Sequence, residues 1–242
     1  MSFNLHGFDA AIIDLDGTMV DTLGDFVAAL NLMLGDLSLR AGAGLGRDEV
    51  ERMVGKGSEH LVRAVLRHVQ EQVEPVAVGR PGPDPASLYA PAFASYQRHY
   101  AAINGHHSRV YEGVPEGLRA LRHAGFKLAC LTNKPLAFAQ TLLKLKGLDG
   151  FFSGVFGGDS FERKKPDPLP LQKTCEFLGS APARTLMIGD SSNDARAARA
   201  AGCPVLLVTY GYNHGEPVEA VDADGFISSL AQLPWPHQTV GA

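Results

Sequence analysis

The sequence predicts a doubly wound α/β fold, in which a parallel sheet carries helices on both faces. Short apolar runs bounded by turn residues recur along the chain, and segments with helical periodicity separate them. These runs read AAIID, FKLACLT, GVFGG, TLMIGD and PVLLVTY. Such alternation is typical of parallel strands joined by crossover helices. We therefore predict a Rossmann-like core whose ligand site lies at the carboxyl edge of the sheet.

One long segment interrupts the alternation. From residue 22 to about residue 105, the runs LGDFVAALNLML, EHLVRAVLRHVQEQV and LYAPAFASYQRHYAAI are helix-like, with no convincing strand among them. We predict a helical cap domain at 21–105, inserted into an α/β catalytic core formed by 1–20 and 106–242. The stretch 78–85, with three prolines and two glycines, predicts a loop between cap helices. Because the insert follows the first strand directly, we expect it to cover that strand's carboxyl end.

Composition limits the class of protein. The 242 residues are 45% hydrophobic, carry a formal net charge of −4 and contain no long basic run. This suits a buried core and gives no electrostatic surface for nucleic acid or an anionic membrane. No apolar run approaches a membrane span, and the N-terminus lacks the features of a signal peptide. We expect a cytoplasmic monomer or homodimer acting on a small molecule, with Cys130, Cys175 and Cys203 as buried, reduced thiols.

Two carboxylates end the first predicted strand. In the motif DLDGT, one residue separates Asp14 from Asp16, and Gly17 permits a sharp exit of the chain. Carboxylates this close are costly to bury, so they usually require a cation or a catalytic role. With a divalent cation present, the first can attack a phosphate while the second exchanges a proton with the leaving oxygen. A solvated Asx turn is the alternative.

Polar groups that suit anion binding occur at two further places. Thr132 and Asn133 stand where a predicted strand meets a helix, and a hydroxyl, an amide and free N–H groups there form an anion site. A simple helix N-cap is the alternative. In ERKKPDP, the adjacent Lys164 and Lys165 offer a cation for both a phosphate and a nucleophilic carboxylate, although loop lysines are usually only solvated.

A second buried strand ends in the motif GDSSND. Asp190 stands at its end, as Asp14 does at the end of the first strand. Hard cations such as Mg²⁺ take oxygen ligands and often bind through few carboxylates together with a substrate phosphate. Asp14, Asp16 and Asp190 would supply such a site, and Asp190 or Ser191 can cap the next helix as well.

With DLDGT, LTN, KKP and GDSSND in this order, the chain resembles the haloacid dehalogenase-like hydrolases, specifically their phosphatases with a helical cap after the first motif. The resemblance implies that Asp14 is the nucleophile and a Mg²⁺ ligand. It implies that Asp16 is the general acid and base, and a metal ligand through its backbone carbonyl. Asp190 would be a further metal ligand.

The same resemblance assigns the remaining groups. Thr132 and Asn133 would hold the phosphoryl oxygens, and Lys165 would orient the charged groups. Lys165 is chosen because it directly precedes Pro166, but Lys164 remains a possible substitute. Asp194 matches the second acidic position of the last motif and would support the lysine or the metal.

Two further stretches, VGKGSEHLV and TYGYNHGEP, resemble the bacterial phosphoglycolate phosphatases. That resemblance implies a cap loop, Gly55-Lys56-Gly57, which closes over a small acidic substrate, with Lys56 against a carboxylate. We therefore predict Mg²⁺-dependent hydrolysis of a small phosphate monoester, 2-phosphoglycolate, through an aspartyl-phosphate. The alternatives are a sugar-phosphate phosphatase or mutase, a pyrophosphatase, and a catalytically silent regulatory or binding module. A dehalogenase is disfavoured, because halide displacement does not use the proton transfer that Asp16 supplies.

Overall fold

The computed structural model describes residues 5–39, 44–72 and 85–233. The strands are β1 Ala10–Ile13, β2 Val20–Asp21, β3 Arg109–Val110, β4 Lys127–Leu131, β5 Gly154–Phe156, β6 Thr185–Gly189, β7 Val205–Val208 and β8 Gly225–Ile227. The helices are α1 Leu23–Asp36, α2 Arg47–Glu51, α3 Ser58–Gln72, α4 Pro85–Ile103, α5 Val114–His123, α6 Leu136–Leu145, α7 Leu169–Leu178 and α8 Ser192–Ala201. Short 3₁₀ helices lie at Asp149–Phe151, Pro182–Arg184, Val218–Ala220 and Leu230–Gln232.

The large sheet has six parallel strands in the order β5-β4-β1-β6-β7-β8. β1 lies between β4 and β6, with Ile13 opposite both Cys130 and Ile188. The strand order reverses between β1 and β6, and doubly wound sheets bind their ligands at the carboxyl ends beside such a reversal. The predicted fold class is confirmed. The short edge strand β8 was not predicted, because its three residues form no long apolar run.

The sheet is buried on both faces, which explains its uninterrupted apolar strands. All four residues of β1 are fully buried. Because side chains alternate along a strand, Ala11 and Ile13 pack with α5 and α6, while Ala10 and Ile12 pack with α7 and α8. The helices thus cover the faces of the sheet and leave the carboxyl edge of its strands for polar groups.

The helices α1 to α4 surround an apolar cluster of their own. The chain enters and leaves this segment through the antiparallel pair β2 and β3, in which Val20 lies opposite Val110. Tyr212, which follows β7, and Phe138 on α6 pack against the same cluster, so the helices rest on the sheet domain. We propose that α1 to α4 form the cap, and the boundaries 21 and 105 stay predictions. Of the predicted loop at 78–85, residues 78–84 lie outside the described residues, and α4 begins at Pro85.

Two of the three cysteines meet in the core. All three are buried and free, as predicted, and the Sγ atoms of Cys175 and Cys203 lie 3.8 Å apart. They belong to α7 and to the segment after α8, so the sequence spacing gave no sign of this contact. Among the helices that the structure describes, none is long and apolar enough to cross a membrane.

A buried carboxylate joins α1 to the segment that returns from the cap. Asp25 is fully buried, and its oxygens accept hydrogen bonds from the backbone N–H groups of Gly105 at 2.8 Å and His107 at 2.7 Å. A carboxylate that accepts two backbone N–H bonds compensates the cost of its own burial. Asp25 therefore fixes the start of α1 against the chain that leaves α4.

We expect Asp25→Ala to lower the free energy of unfolding by about 2 kcal/mol, because it removes a buried carboxylate that accepts two partly buried backbone N–H groups. Chemical denaturation monitored by circular dichroism measures this change. Glu162→Ala, which removes an exposed loop carboxylate, serves as the control and should change stability by about 0.5 kcal/mol or less. Equal effects of the two substitutions would contradict this account of Asp25.

Candidate active site

One small cavity lies at the carboxyl edge of the sheet, beneath the cap. Its volume is about 40 Å³. The ends of β1, β4 and β6 bring Asp14, Thr132 and Asp190 to it, since the carboxyl ends of adjacent parallel strands meet at one edge. The cavity is lined by the predicted residues Asp14, Asp16, Thr132, Asn133, Lys165 and Asp190, by Lys134, Ser191, Asn193, Asp194 and Tyr212, and by the cap residues Phe26, Val54, Gly55, Gly57, Ser58, Leu61 and Tyr100.

The DLDGT motif turns sharply at its glycine. Gly17 has a φ of +84°, and a Cβ at this position would lie 2.1 Å from Oδ2 of Asp190. Glycine is therefore required both for the backbone conformation and for the close approach of Asp190. The turn brings Thr18 next to the same carboxylate, which accepts a hydrogen bond from the Thr18 hydroxyl at 3.2 Å.

Lys165 connects three segments of the site. Its Nζ lies 2.8 Å from Oδ1 of Asp14, 2.6 Å from Oδ1 of Asp194 and 2.8 Å from the carbonyl oxygen of Leu131. These three bonds use all three hydrogens of the ammonium group. Burial opposes its charge, but the two carboxylates outweigh burial and raise the pKa of Lys165 above its usual value. The neighbouring Lys164 is half-buried and lies 3.4 Å from Glu59 of the cap instead.

Burial makes the negative charges of Asp14 and Asp190 unfavourable. Burial raises the pKa of Asp14 from 3.8 to about 7, although the ammonium of Lys165 opposes this shift. Burial, together with the charges of Asp194 and Asp14, raises the pKa of Asp190 well above its usual range. The backbone N–H of Tyr212 donates to Asp190 Oδ2 at 2.6 Å and offsets part of this cost. The site as it stands holds more negative charge than its own cations balance.

These donors fit a divalent cation. Carboxylate oxygens of Asp14, Asp190 and Asp194 lie within 4.8 Å of one another. The cavity is lined by four aspartates and two lysines, so it carries a net charge of −2 when all are ionised. A hard dication with oxygen ligands would balance that charge. Asp194 accepts four hydrogen bonds, from Lys165, from the hydroxyl and the backbone N–H of Ser191 and from the backbone N–H of Asp190. Among the described residues, Asp14 accepts one and Asp190 accepts two, which favours Asp14 and Asp190 as the ligands.

Lys134 also lies in the cavity, and the sequence analysis missed it. Its Nζ is 2.7 Å from Oδ1 of Asp16 and lies above the rings of Phe26 and Tyr100, 4.7 Å and 4.9 Å from their centroids. The Thr22 hydroxyl donates to the same Asp16 oxygen at 2.7 Å. The sequence signal was weak, because it consisted only of a lysine after the LTN motif. Its aromatic neighbours belong to α1 and α4, which are distant in sequence.

The cap loop closes the cavity through a backbone carbonyl. The carbonyl oxygen of Gly55 accepts hydrogen bonds from the amides of Asn133 and Asn193, both at 3.1 Å. The ring of His214 covers Gly55 so closely that a Cβ there would lie 2.8 Å from its Cε1. Burial lowers the pKa of His214, which favours a neutral ring beside the loop. Lys56 has an exposed side chain and is absent from the lining of the cavity.

A model of the haloacid dehalogenase-like hydrolases matches residues 8–202. The chain belongs to this family. This haloacid dehalogenase-like hydrolase is 45% identical to a phosphoglycolate phosphatase from Thiobacillus denitrificans, over 92% of each chain. It is 43% identical to a plasmid phosphoglycolate phosphatase from Cupriavidus necator, over 93% of this chain and 91% of that protein. The crystal structure of a predicted phosphoglycolate phosphatase from Haemophilus somnus superposes with a TM-score of 0.84 at 32% identity, covering 93% and 96% of the two chains.

The raised pKa of Asp14 predicts how stability depends on pH in this haloacid dehalogenase-like hydrolase. Because the folded protein favours the protonated form, the stability contributed by Asp14 is present below pH 4 and is lost as the pH rises to about 7. Because the asparagine of Asp14→Asn does not titrate, this variant does not lose stability in this way. In EDTA, the stability of the variant relative to wild type should therefore increase between pH 4 and pH 7, by on the order of 2–4 kcal/mol.

Chemical denaturation across this pH range measures the difference. Glu162→Gln, which neutralises an exposed loop carboxylate, is the matched control and should give a nearly constant difference. A constant difference for Asp14→Asn as well would contradict the raised pKa of Asp14.

Proposed function

We propose that this protein hydrolyses 2-phosphoglycolate to glycolate and phosphate in a Mg²⁺-dependent reaction, through an aspartyl-phosphate on Asp14. The observation that carries the proposal is the set of charged groups around one cavity, in which Lys165 binds Asp14, and Asp16 also lines the cavity. Similarity to phosphoglycolate phosphatases over more than nine tenths of the chain supports the choice of substrate.

In the first step, Asp14 attacks phosphorus. Lys165 binds Oδ1 of Asp14, so this oxygen is held and the other is the attacking atom. The new bond joins an Asp14 oxygen to phosphorus, and the bond between phosphorus and the glycolate oxygen breaks, with its electron pair going to that oxygen. Mg²⁺ held by Asp14, Asp190 and the backbone carbonyl of Asp16 would neutralise charge on the phosphoryl group.

Asp16 moves the proton in both steps. Its carboxyl group protonates the departing glycolate oxygen and then takes a proton from the water that attacks the aspartyl-phosphate. Thr22 and Lys134 both donate to Oδ1 of Asp16, which leaves Oδ2 for this exchange. The second attack releases phosphate and restores Asp14 as a carboxylate.

Thr132 and Asn133 would bind the phosphoryl oxygens. The Thr132 hydroxyl oxygen accepts the backbone N–H of Lys134 at 3.2 Å, so its own hydrogen remains for a phosphate. The Asn133 amide already donates to the carbonyls of Gly55 at 3.1 Å and Lys165 at 2.9 Å. The Asn133 amide can bind a phosphoryl oxygen only after it gives up one of these two hydrogen bonds, and we assign the exchange to the longer one, to the cap carbonyl of Gly55.

The size of the cavity favours a small substrate over a sugar phosphate. With about 40 Å³ beneath the closed cap, it holds only a few water molecules. A two-carbon acid phosphate requires a much smaller displacement of the cap than a hexose phosphate does.

The predicted cytoplasmic location and the monomeric or homodimeric state stay predictions.

The direct test is release of inorganic phosphate from 2-phosphoglycolate by the purified protein. EDTA should stop turnover. Mg²⁺ should restore it, because the dication balances the net negative charge of the cavity. Asp14→Asn should reduce turnover to background, since an amide is a poor nucleophile, and Asp16→Asn should reduce it by about 10²- to 10⁴-fold. Glu162→Gln is the control and should retain activity. Turnover in EDTA, or near-normal turnover by folded Asp14→Asn, would refute the mechanism.

The two adjacent lysines should differ strongly in their effect. Lys165→Met leaves Asp14 and Asp194 without their shared cation, and we expect kcat to fall by about 10²-fold or more. Lys164→Met removes only the partly exposed pair with Glu59, so a change of about fivefold or less is expected. Steady-state kinetics on both folded variants measure the difference. A loss in Lys165→Met as small as that in Lys164→Met would show that Lys164 can substitute for Lys165.

A further inference from the structure

The two lysines of the cavity differ in the use of their hydrogen-bond donors. All three hydrogens of the Lys165 ammonium are bound by Asp14, Asp194 and the Leu131 carbonyl. In the described part of the chain, the Lys134 ammonium donates to a single acceptor, Oδ1 of Asp16. Lys134 is therefore the cation of this cavity that has donors left for a ligand.

The surroundings of Lys134 favour an anion. The residue is 5% exposed, and its ammonium lies against the faces of Phe26 and Tyr100, so little water competes for the two remaining hydrogens. Charge-assisted hydrogen bonds are strong in such a desolvated site. Tyr100 also lines the cavity, is 1% exposed, and has a buried hydroxyl with no hydrogen-bond partner among the described residues. A buried, unpartnered hydroxyl on a residue that lines the cavity is suited to bind a ligand oxygen.

The reaction itself places a carboxylate near this cation. To receive a proton, the leaving oxygen of the substrate must lie within hydrogen-bond distance of the Asp16 carboxyl group. In the phosphate ester of a 2-hydroxy acid, only one carbon separates that oxygen from the carboxylate. Since Nζ of Lys134 is 2.7 Å from Asp16 Oδ1, the carboxylate of such a substrate falls close to Lys134.

We propose that Lys134, together with the Tyr100 hydroxyl, binds the substrate carboxylate and selects phosphate monoesters of small 2-hydroxy acids. This inference rests on the proposed phosphatase activity and deepens it. It transfers to Lys134 the role that the sequence resemblance gave to Lys56, whose side chain is exposed and does not line the cavity.

The test compares two substrates that differ only in the group to be recognised. 2-Phosphoglycolate carries a carboxylate where ethyl phosphate carries a methyl group, and both have the phosphate on a two-carbon chain. The measured quantity is the ratio of their kcat/KM values in wild type, Lys134→Met and Lys56→Met. Using this ratio cancels any general damage to Asp16, because such damage affects both substrates.

Lys134→Met should lower the preference for 2-phosphoglycolate roughly 10- to 150-fold, the equivalent of one charge-assisted hydrogen bond of about 1.5–3 kcal/mol. Lys134→Arg, which keeps the positive charge, should retain most of the preference. Lys56→Met is the matched control and should leave the ratio unchanged. A selective loss in Lys56→Met, or an unchanged ratio in folded Lys134→Met, would overturn the assignment.

A second pair of variants is independent of the buried lysine. Tyr100→Phe removes a hydroxyl that has no partner among the described residues, so the protein should fold and the preference should fall by about 10-fold. Tyr96→Phe is its matched control, since Tyr96 is equally buried in α4 but does not line the cavity. The same fall in both variants, or none in Tyr100→Phe, would remove Tyr100 from the carboxylate site.

The wild-type ratio separates this inference from the proposed function. Equal hydrolysis of both esters by the wild-type enzyme would overturn 2-phosphoglycolate as the substrate. A strong wild-type preference that Lys134→Met and Tyr100→Phe leave intact would overturn only the carboxylate site described here.

Discussion

The ammonium group of Lys165 lies between the carboxylates of Asp14 and Asp194, in a place from which water is largely excluded. Its contacts join the end of β1, the end of β4 and the first turn of α8. Buried charges of this kind are costly to leave unpaired, so each of these segments is held in its position relative to the others. The reversal of strand order beside β1 supplies the space in which this arrangement fits.

Hydrogen bonds also connect a buried carboxylate of the site with the base of the cap. Tyr212 makes this connection. Its backbone N–H donates to Asp190, and its hydroxyl donates to Asp21 at 2.7 Å. That hydroxyl also accepts the backbone N–H of Thr22 at 2.9 Å, directly before α1. The backbone and the side chain of one residue thus connect a proposed metal ligand to the strand through which the chain enters the cap.

The sequence predicted those parts of the molecule that depend on local pattern. Strands buried on both faces give continuous apolar runs, so the core strands and the family motifs at their ends were recognisable, and both the fold class and the family are confirmed. Lys134 escaped prediction because its environment is made by α1 and α4, and no local pattern specifies which helix packs over a given strand end. The exposed position of Lys56 depends on the same packing. The contact between Cys175 and Cys203 likewise arises from the packing of α7 against the segment that follows α8, which are separate in sequence.

The carbonyl of Gly55 is held by amides from Asn133 and Asn193, one of which is proposed to bind phosphate. In the proposed role of Asn133, the protein's own backbone competes with the substrate for this donor. The affinities for substrate phosphate and for product phosphate would then both be lower by the free energy of the internal hydrogen bond. The same competition would favour release of inorganic phosphate, because the Gly55 carbonyl can accept the amide again as the ion leaves. A phosphatase whose product accumulates would keep its turnover through such a site.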